Sequence, residues 1–452
     1  MPPVSLAAPL DLPCRGLGSV RIPASLHAIL RIARPCFRRD AFTTFCLLVI
    51  GLITQTGRRT ICGMLLGAGV AGQFAHDRFH RFFSTTAWEA DQLGLAIARV
   101  IIDRLLPPDA PITVAVDDTV FRRWGRKVFA VFWTHDGSVP GPKKIARGNR
   151  WIIAGIVVHF PWCSRPWTLP VLLRLWQGKG TASPVTLAAE LLGLLATAWP
   201  SRTVHGVGDA AYRGGALAEL PASVTFTTRM ACNGVFYAPK PPATGRRGRP
   251  REKGARLGAP SQIAAGASWN PTTVVRYGRR ESVHISQTAG LWYGSFGKTA
   301  GRLILVRDQD SDKVYDLALF TTDQASTPEQ IVARYASRWP LEVAHAQGKG
   351  PFGIGQARNR TPRAVERTVP FEFLAYSLVI LWYALYGHHP EDVTDRRARS
   401  PWYTTKTEPS FEDILAKLRR TLIAARFIPD SPAQATPEQI RAVHLAWEAA
   451  AA

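Results

Sequence analysis

From residue 111 the chain changes from helical spacing to short apolar, β-branched runs, and the order of these runs narrows the available folds more than any other feature. PITVAVDD (111–118), RWIIAGIVVHF (150–160) and RPWTLPVLLRLW (165–176) have the composition of strands. VTLAAELLGLLATAW (185–199) has helical spacing, and TVHGVGD (203–209) and ASVTFTTRM (222–230) return to strand character. Three strands, a helix and a further strand predict an α/β core on a mixed sheet. Carboxylates close two of the runs: Asp117 and Asp118 the first, Asp209 a later one.

The flanking segments read differently. Residues 1–105 read as helices, including LGLAIARVIIDRLL (93–106), punctuated by Arg38, Arg39, Arg58, Arg59, Arg78 and Arg81. That pattern suits a DNA-binding domain, and equally a bundle with a solvated basic face. The first half of the core occupies 106–230, and residues 231–312 interrupt it with a Pro-, Gly- and Arg-rich loop and β-like pieces such as TTVVRYGRRESVHIS. The core resumes over 313–390 and a polar helical region fills 391–452.

Charge narrows the partners. Of 452 residues, 56 are basic and 33 acidic, a formal net charge of +23, and a field of that sign attracts polyanions. An anionic membrane is the rival, but the best apolar stretches, Phe45–Ile53 and Phe373–Leu385, are interrupted or shorter than the ~20 residues a bilayer requires. No secretory leader pattern opens the chain, and Cys14, Cys36, Cys46, Cys62, Cys163 and Cys232 form no CxxC pair, which argues against a zinc ribbon or a disulfide framework. A bacterial cytoplasm, in association with the nucleoid, is the expected location.

Beyond the interruption, YASRWPLEVAHAQGKG (335–350) carries Tyr335, Arg338, Glu342 and Lys349. At about 100° per residue these four fall within roughly 60° on one helical wheel, so all can face one object. Pro340 within the segment either kinks that helix or opens a new one, with Glu342 in its first turn and Lys349 near its end. If the sheet also brings Asp117, or its neighbour Asp118, beside Asp209, three acids converge with Glu342 on one pocket. Self-repulsion in such a cluster is relieved by hard divalent cations, which favour oxygen ligands. Each feature has a plainer reading: a solvated Asp-Asp turn, an N-cap at Asp209, and an Arg338–Glu342 pair on an ordinary polar stripe. His135, His205 and His345 offer another metal-binding set, but their spacing follows no zinc pattern.

Taken together, VAVDDT, VGDAAY and the ungapped Tyr335-x2-Arg338-x3-Glu342-x6-Lys349 resemble the motifs of bacterial insertion-sequence transposases of the DDE superfamily, in its DDE endonuclease branch with a Y-R-E-K signature. RKVFAVFWTHDGS (126–138), TGRRGRPREKG (244–254) and QARNRTPRAVERTVPF (356–371) are similar to stretches of the same group. The resemblance implies an RNase H-like mixed-sheet core interrupted by a β-rich insertion and preceded by a helical domain. It implies a metal triad of Asp117, Asp209 and Glu342 holding two Mg²⁺ ions, or Mn²⁺ in their place. Asp117 is preferred to Asp118 because the family's first aspartate usually stands two residues before a Thr, here Thr119. Tyr335, Arg338 and Lys349 are then expected to grip phosphates of the transposon end.

The expected partners are double-stranded terminal inverted repeats and target DNA, paired by a homodimer, with no membrane involved. The expected activity is cleavage of the element's ends and their joining to target DNA by phosphodiester hydrolysis and transesterification; excision through a hairpin fits the resemblance. A non-catalytic DNA-binding descendant and a metal-dependent nuclease without end specificity are the alternatives. RRGRPR (246–251) resembles an AT-hook core, with Arg247 and Arg249 suited to a narrow minor groove, although a solvated linker has the same composition. Arg122, Arg123, Arg126 and Lys127, with Arg358, Arg360, Arg363 and Arg367, are expected to meet the DNA backbone. Trp292 and Tyr293 suit either base stacking or core packing.

Overall fold

A computed structural model describes residues 10–12, 20–242, 251–427 and 441. The basic residues Arg247 and Arg249 lie outside these described residues. Ten strands form one sheet: β1 (Ile112–Arg122), β2 (Phe132–His135), β3 (Ile145–Val158), β4 (Trp167–Trp176), β5 (Val204–Gly208), β6 (Val224–Arg229), β7 (Asn270–Arg276), β8 (Arg279–Gly290), β9 (Gly301–Asp308) and β10 (Leu317–Thr321). β1 is central. It pairs antiparallel with β3 and parallel with β5, and β5 runs parallel to β6. β4 and the short β2 share the outer edge of β3. Three antiparallel strands joined to two parallel ones form an RNase H-like core.

β1 is longer than its sequence suggested. It runs to Arg122, so Asp117 and Asp118 sit inside the strand rather than at its tip. Within the interrupting segment Phe236–Tyr237 and Arg256–Gly258 pair as a separate two-stranded ribbon, whereas the longer strands do not stand apart. Its strands β7, β8 and β9 join β10, which pairs with β6 and so extends the core sheet. Val274, Ile285, Ile304 and Leu319 from this extension form a small second core with Ile331 and Val332 of α7 (Pro328–Ala336).

The helices divide by position. Upstream of the sheet lie α1 (Ala24–Leu30), α2 (Arg39–Thr54), α3 (Ile61–Ala68), α4 (His76–Ser84) and α5 (Ala90–Leu105); α6 (Pro184–Ala198) links β4 to β5. After the sheet come α8 (Trp339–Lys349), α9 (Pro362–Trp382), α10 (Asp392–Arg399) and α11 (Phe411–Phe427). The upstream helices share one hydrophobic core with the sheet: Phe45 of α2 and Phe82 and Phe83 of α4 meet Phe371 of α9 edge to face. At Gly94 of α5 an added Cβ would lie 1.9 Å from the Val171 carbonyl, so the crossing over β4 admits no side chain there.

With its terminal π-turn, Pro362–Gly387 is 26 residues long, and by length and composition it could cross a membrane. It therefore exceeds the Phe373–Leu385 stretch apparent in the sequence. In the structure 89% of its apolar window is buried inside the protein, where it serves as the core helix between the sheet and the upstream helices.

Candidate active site

Strand register brings the first two acids together. Parallel pairing of β1 with β5 matches Ile112 to Val204 and ends at Ala115 and Val207. Two residues further on come Asp117 and, just past the end of β5, Asp209, near enough for its charge to act on Asp117. Asp209 leaves the sheet in a turn: its carboxylate accepts the Ala211 N–H at 2.9 Å, and its own carbonyl accepts the Thr228 hydroxyl at 2.6 Å.

The segment 335–350 forms two helices instead of one. Pro340 has no N–H and lies in the first turn of α8, so α7 ends at Ala336 and α8 opens at Trp339. Tyr335 therefore belongs to α7, whereas Glu342 occupies the first turn of α8 and Lys349 its last residue. An acid in the first turn and a base in the last complement the helix dipole. Arg338, at the junction, is the link: its Nη1 lies 2.6 Å from Glu342 Oε1 and 3.4 Å from Asp117 Oδ2. Two carboxylate oxygens from elements more than two hundred residues apart thus share one guanidinium nitrogen, which caps their separation at about 6 Å.

The cluster is electrostatically costly. Burial pushes the Asp117 carboxyl up to about 7; the Asp118 and Asp209 charges add to the push and Arg338 opposes it. Asp118 differs because both its oxygens are taken by Arg150, from Nε at 2.7 Å and Nη2 at 2.9 Å, with the Tyr212 hydroxyl 3.5 Å away. That pairing leaves Asp117 as the acid of the two better able to ligate a cation. The chemistry of the donor set suits a hard divalent cation, because Asp117, Asp209 and Glu342 would offer oxygens and Arg338 already acts as a counter-charge between two of them.

Tyr335 is half-buried close to Arg338, Arg229 and Asp209, and burial raises its hydroxyl pKa. Lys349 lies over the Phe121 ring at 5.2 Å, and burial lowers its pKa while Asp136 and Asp118 oppose the shift. Arg358 and Arg360 are exposed and line a cleft with Arg58, Arg122, Arg123 and Trp124. Trp124, 78% exposed, is an aromatic surface that the sequence did not single out. Arg150 was equally unsignalled, since only strand pairing sets it against Asp118. Arg367, by contrast, is buried and donates to the Thr86 carbonyl at 2.6 Å and to that of Trp88, so it is structural. Trp292 is buried against Phe296 and Phe320, and the Tyr293 hydroxyl donates to Glu252 at 2.6 Å. The three histidines do not form a set: His205 contacts Thr225, His345 is buried beside Phe373, and His135 is exposed on β2.

Behind the cleft, Gly355 has φ +86° and presses on Phe121, where an added Cβ would lie 2.2 Å from the ring. Its N–H donates to Glu372 Oε2 at 2.7 Å, while Oε1 of the same fully buried carboxyl has no partner. Burial pushes Glu372 up to about 8, from 4.5 in an unfolded chain. The folded protein therefore holds this proton more tightly, and stability falls as pH rises from about 4.5 to about 8. Glu372→Gln is expected to match the wild type at pH ~4 and to exceed it by ~2 kcal/mol or more at pH ~9. Urea unfolding at the two pH values measures the difference; an equal offset at both would contradict the assignment.

A family model described as DDE superfamily endonuclease matches residues 33–288. The matched span includes Asp117 and Asp209 and stops before α7 and α8. Among curated proteins, none matches.

Proposed function

Because the chain belongs to the DDE superfamily endonucleases, which act on DNA with divalent metal ions, we propose that it is the transposase of a bacterial insertion sequence. In this reading it cuts the ends of its element and joins them to target DNA. The observation that carries the reading is the convergence of Asp117 and Glu342 on one guanidinium nitrogen, with Asp209 beside Asp117.

Asp117, Asp209 and Glu342 would hold two Mg²⁺ ions, or Mn²⁺ in their place. Such ions polarise the phosphodiester and lower the pKa of the attacking water or hydroxyl. Attack of water at the transposon end forms one P–O bond, breaks the bond to the 3′-oxygen and leaves a 3′-hydroxyl. That hydroxyl then attacks a target phosphodiester, whose own 3′-oxygen departs. Tyr335, Arg338 and Lys349 position the terminal phosphates: arginine as a planar fork, lysine as a compact charge. The two ends are held by a homodimer assembled on DNA in the bacterial cytoplasm.

Purified protein, Mg²⁺ and duplexes carrying the inverted repeats that flank the gene test the reading. Cutting at repeat ends in preference to random DNA, abolished by EDTA, supports it. Equal cutting of both substrates points to a general nuclease, and metal-independent binding without any nicking points to a non-catalytic descendant.

The arginine-lined cleft is read as the backbone track. Replacing Arg358 and Arg360 by Ala is expected to weaken binding to all duplexes alike. It should also reduce the slope of log affinity against log salt by roughly 2, about 0.9 for each phosphate no longer neutralised. Fluorescence anisotropy between ~50 and ~200 mM salt measures this; an unchanged slope would place the DNA elsewhere.

A further inference from the structure

We propose that Cys62, His76 and His80 form a zinc-binding site that ties α3 to α4, separate from the carboxylate cluster. The three side chains come from two helices. Cys62 is in the first turn of α3, while His76 and His80 share one face of α4 at i and i+4, a spacing that lets two imidazoles bind one ion. Their ligating atoms converge: His76 Nε2 and His80 Nε2 are 3.3 Å apart, and Cys62 Sγ lies 3.2 Å from the first and 4.0 Å from the second.

The 3.3 Å between the nitrogens is that of a tetrahedral zinc shell, and the sulfur–nitrogen separations of 3.2 and 4.0 Å lie on either side of its value. With Zn–N near 2.0–2.1 Å and Zn–S near 2.3 Å, tetrahedral angles put the two nitrogens ~3.3 Å apart and each nitrogen ~3.5 Å from sulfur. Hydrogen bonding accounts for the cluster less well. Two neutral imidazoles meeting through Nε2 share at most one N–H, and a thiol donates only one weak bond, so three lone-pair atoms crowd one point.

One thiolate and two imidazoles select zinc-class ions over the magnesium that suits the carboxylate cluster. Cys62 and His76 are exposed and His80 is half-buried, so the fourth position faces water. The bridge would close the short segment between α3 and α4, in the part of the chain where Arg58, Arg78 and Arg81 lie. It would thereby fix the relative placement of two helices that both pack on α2.

The test uses the metal-free full-length protein titrated with Co²⁺ as a spectroscopic probe and with Zn²⁺ against a chromophoric chelator. The expected result is one tight equivalent with a thiolate-to-cobalt charge-transfer band. That band should be absent in Cys62→Ser, and Zn²⁺ affinity should fall in His76→Gln and His80→Gln by more than the ~10–100-fold typical of losing a ligand's supporting partner. Cys232→Ser and Asp117→Asn should keep the band, which separates this site from the other thiol that is exposed among the described residues and from the acids. Absence of the band in wild-type protein, or an unchanged spectrum in Cys62→Ser, overturns the proposal. Circular dichroism establishes that each variant is folded, and Cys62→Ser changes one exposed atom.

Discussion

Asp209→Ala protein is expected to bind repeat-end DNA and to fail to cut it, with the rate in Mg²⁺ down by ~10³-fold or more. The figure follows from removing one oxygen ligand from the proposed metal site, which would supply several kcal/mol of charge stabilisation, at 1.36 kcal/mol per factor of ten. Loss of fold is a poor competing explanation. Among the described residues the Asp209 carboxylate makes no ion pair, and its bond from the Ala211 N–H resembles a cap whose loss costs ~1 kcal/mol. Removing its charge also relieves the push on Asp117. Single-turnover cleavage and thermal melting, measured together, decide the matter: undiminished cutting by a folded variant would remove Asp209 from the site. Asp118→Asn should behave differently. It strands Arg150, whose partner it is with both side chains only 18% exposed, so its main effect is a loss of ~3 kcal/mol or more in stability.

Much of the core was legible because its strands are apolar and β-branched, and because the helix after β4 begins with a Ser183 cap and a proline, as helices often do. The carboxylates misled at one point. Two adjacent acids normally end a strand, yet β1 continues through Thr119, Val120 and Phe121 because each acid meets an arginine, Arg338 or Arg150. Local pattern could not reveal either partner, since Arg150 is set by antiparallel register and Arg338 by the packing of α8 on β1. The same limit hid the fusion of the interrupting strands with the core sheet, which depends on β10 pairing with β6. Pro340 was the readable sign that Tyr335 and Lys349 would not share a helix. The Cys62, His76 and His80 cluster left only the four-residue histidine spacing to read, because its third member arrives from another helix.

Arg338→Gln is expected to move two measurements in opposite directions. In the DNA-free protein the guanidinium lies between Asp117 and Glu342 and supplies the positive charge that a divalent ion would bring. Bonds of this charge-assisted kind contribute ~1.5–3 kcal/mol, so an ion entering the cluster must displace an interaction equivalent to ~10-fold or more in affinity. The neutral, similarly shaped glutamine removes that competitor, and Mn²⁺ should bind the free variant ~10-fold more tightly by calorimetry. Repulsion between the freed carboxylates is relieved by proton uptake at Asp117, already held near 7, so the fold should tolerate the change. With DNA bound, the same substitution takes away a phosphate-holding fork, and cleavage should drop by ~10²-fold, the scale set by removing one preorganised donor to developing charge. The buried Nε of Arg338, which has no partner in the free protein, agrees with a side chain that completes its hydrogen bonds only when a phosphate arrives. Unchanged or weaker Mn²⁺ binding would show that the guanidinium does not compete with metal. Unchanged cleavage would show that it does not serve the phosphate.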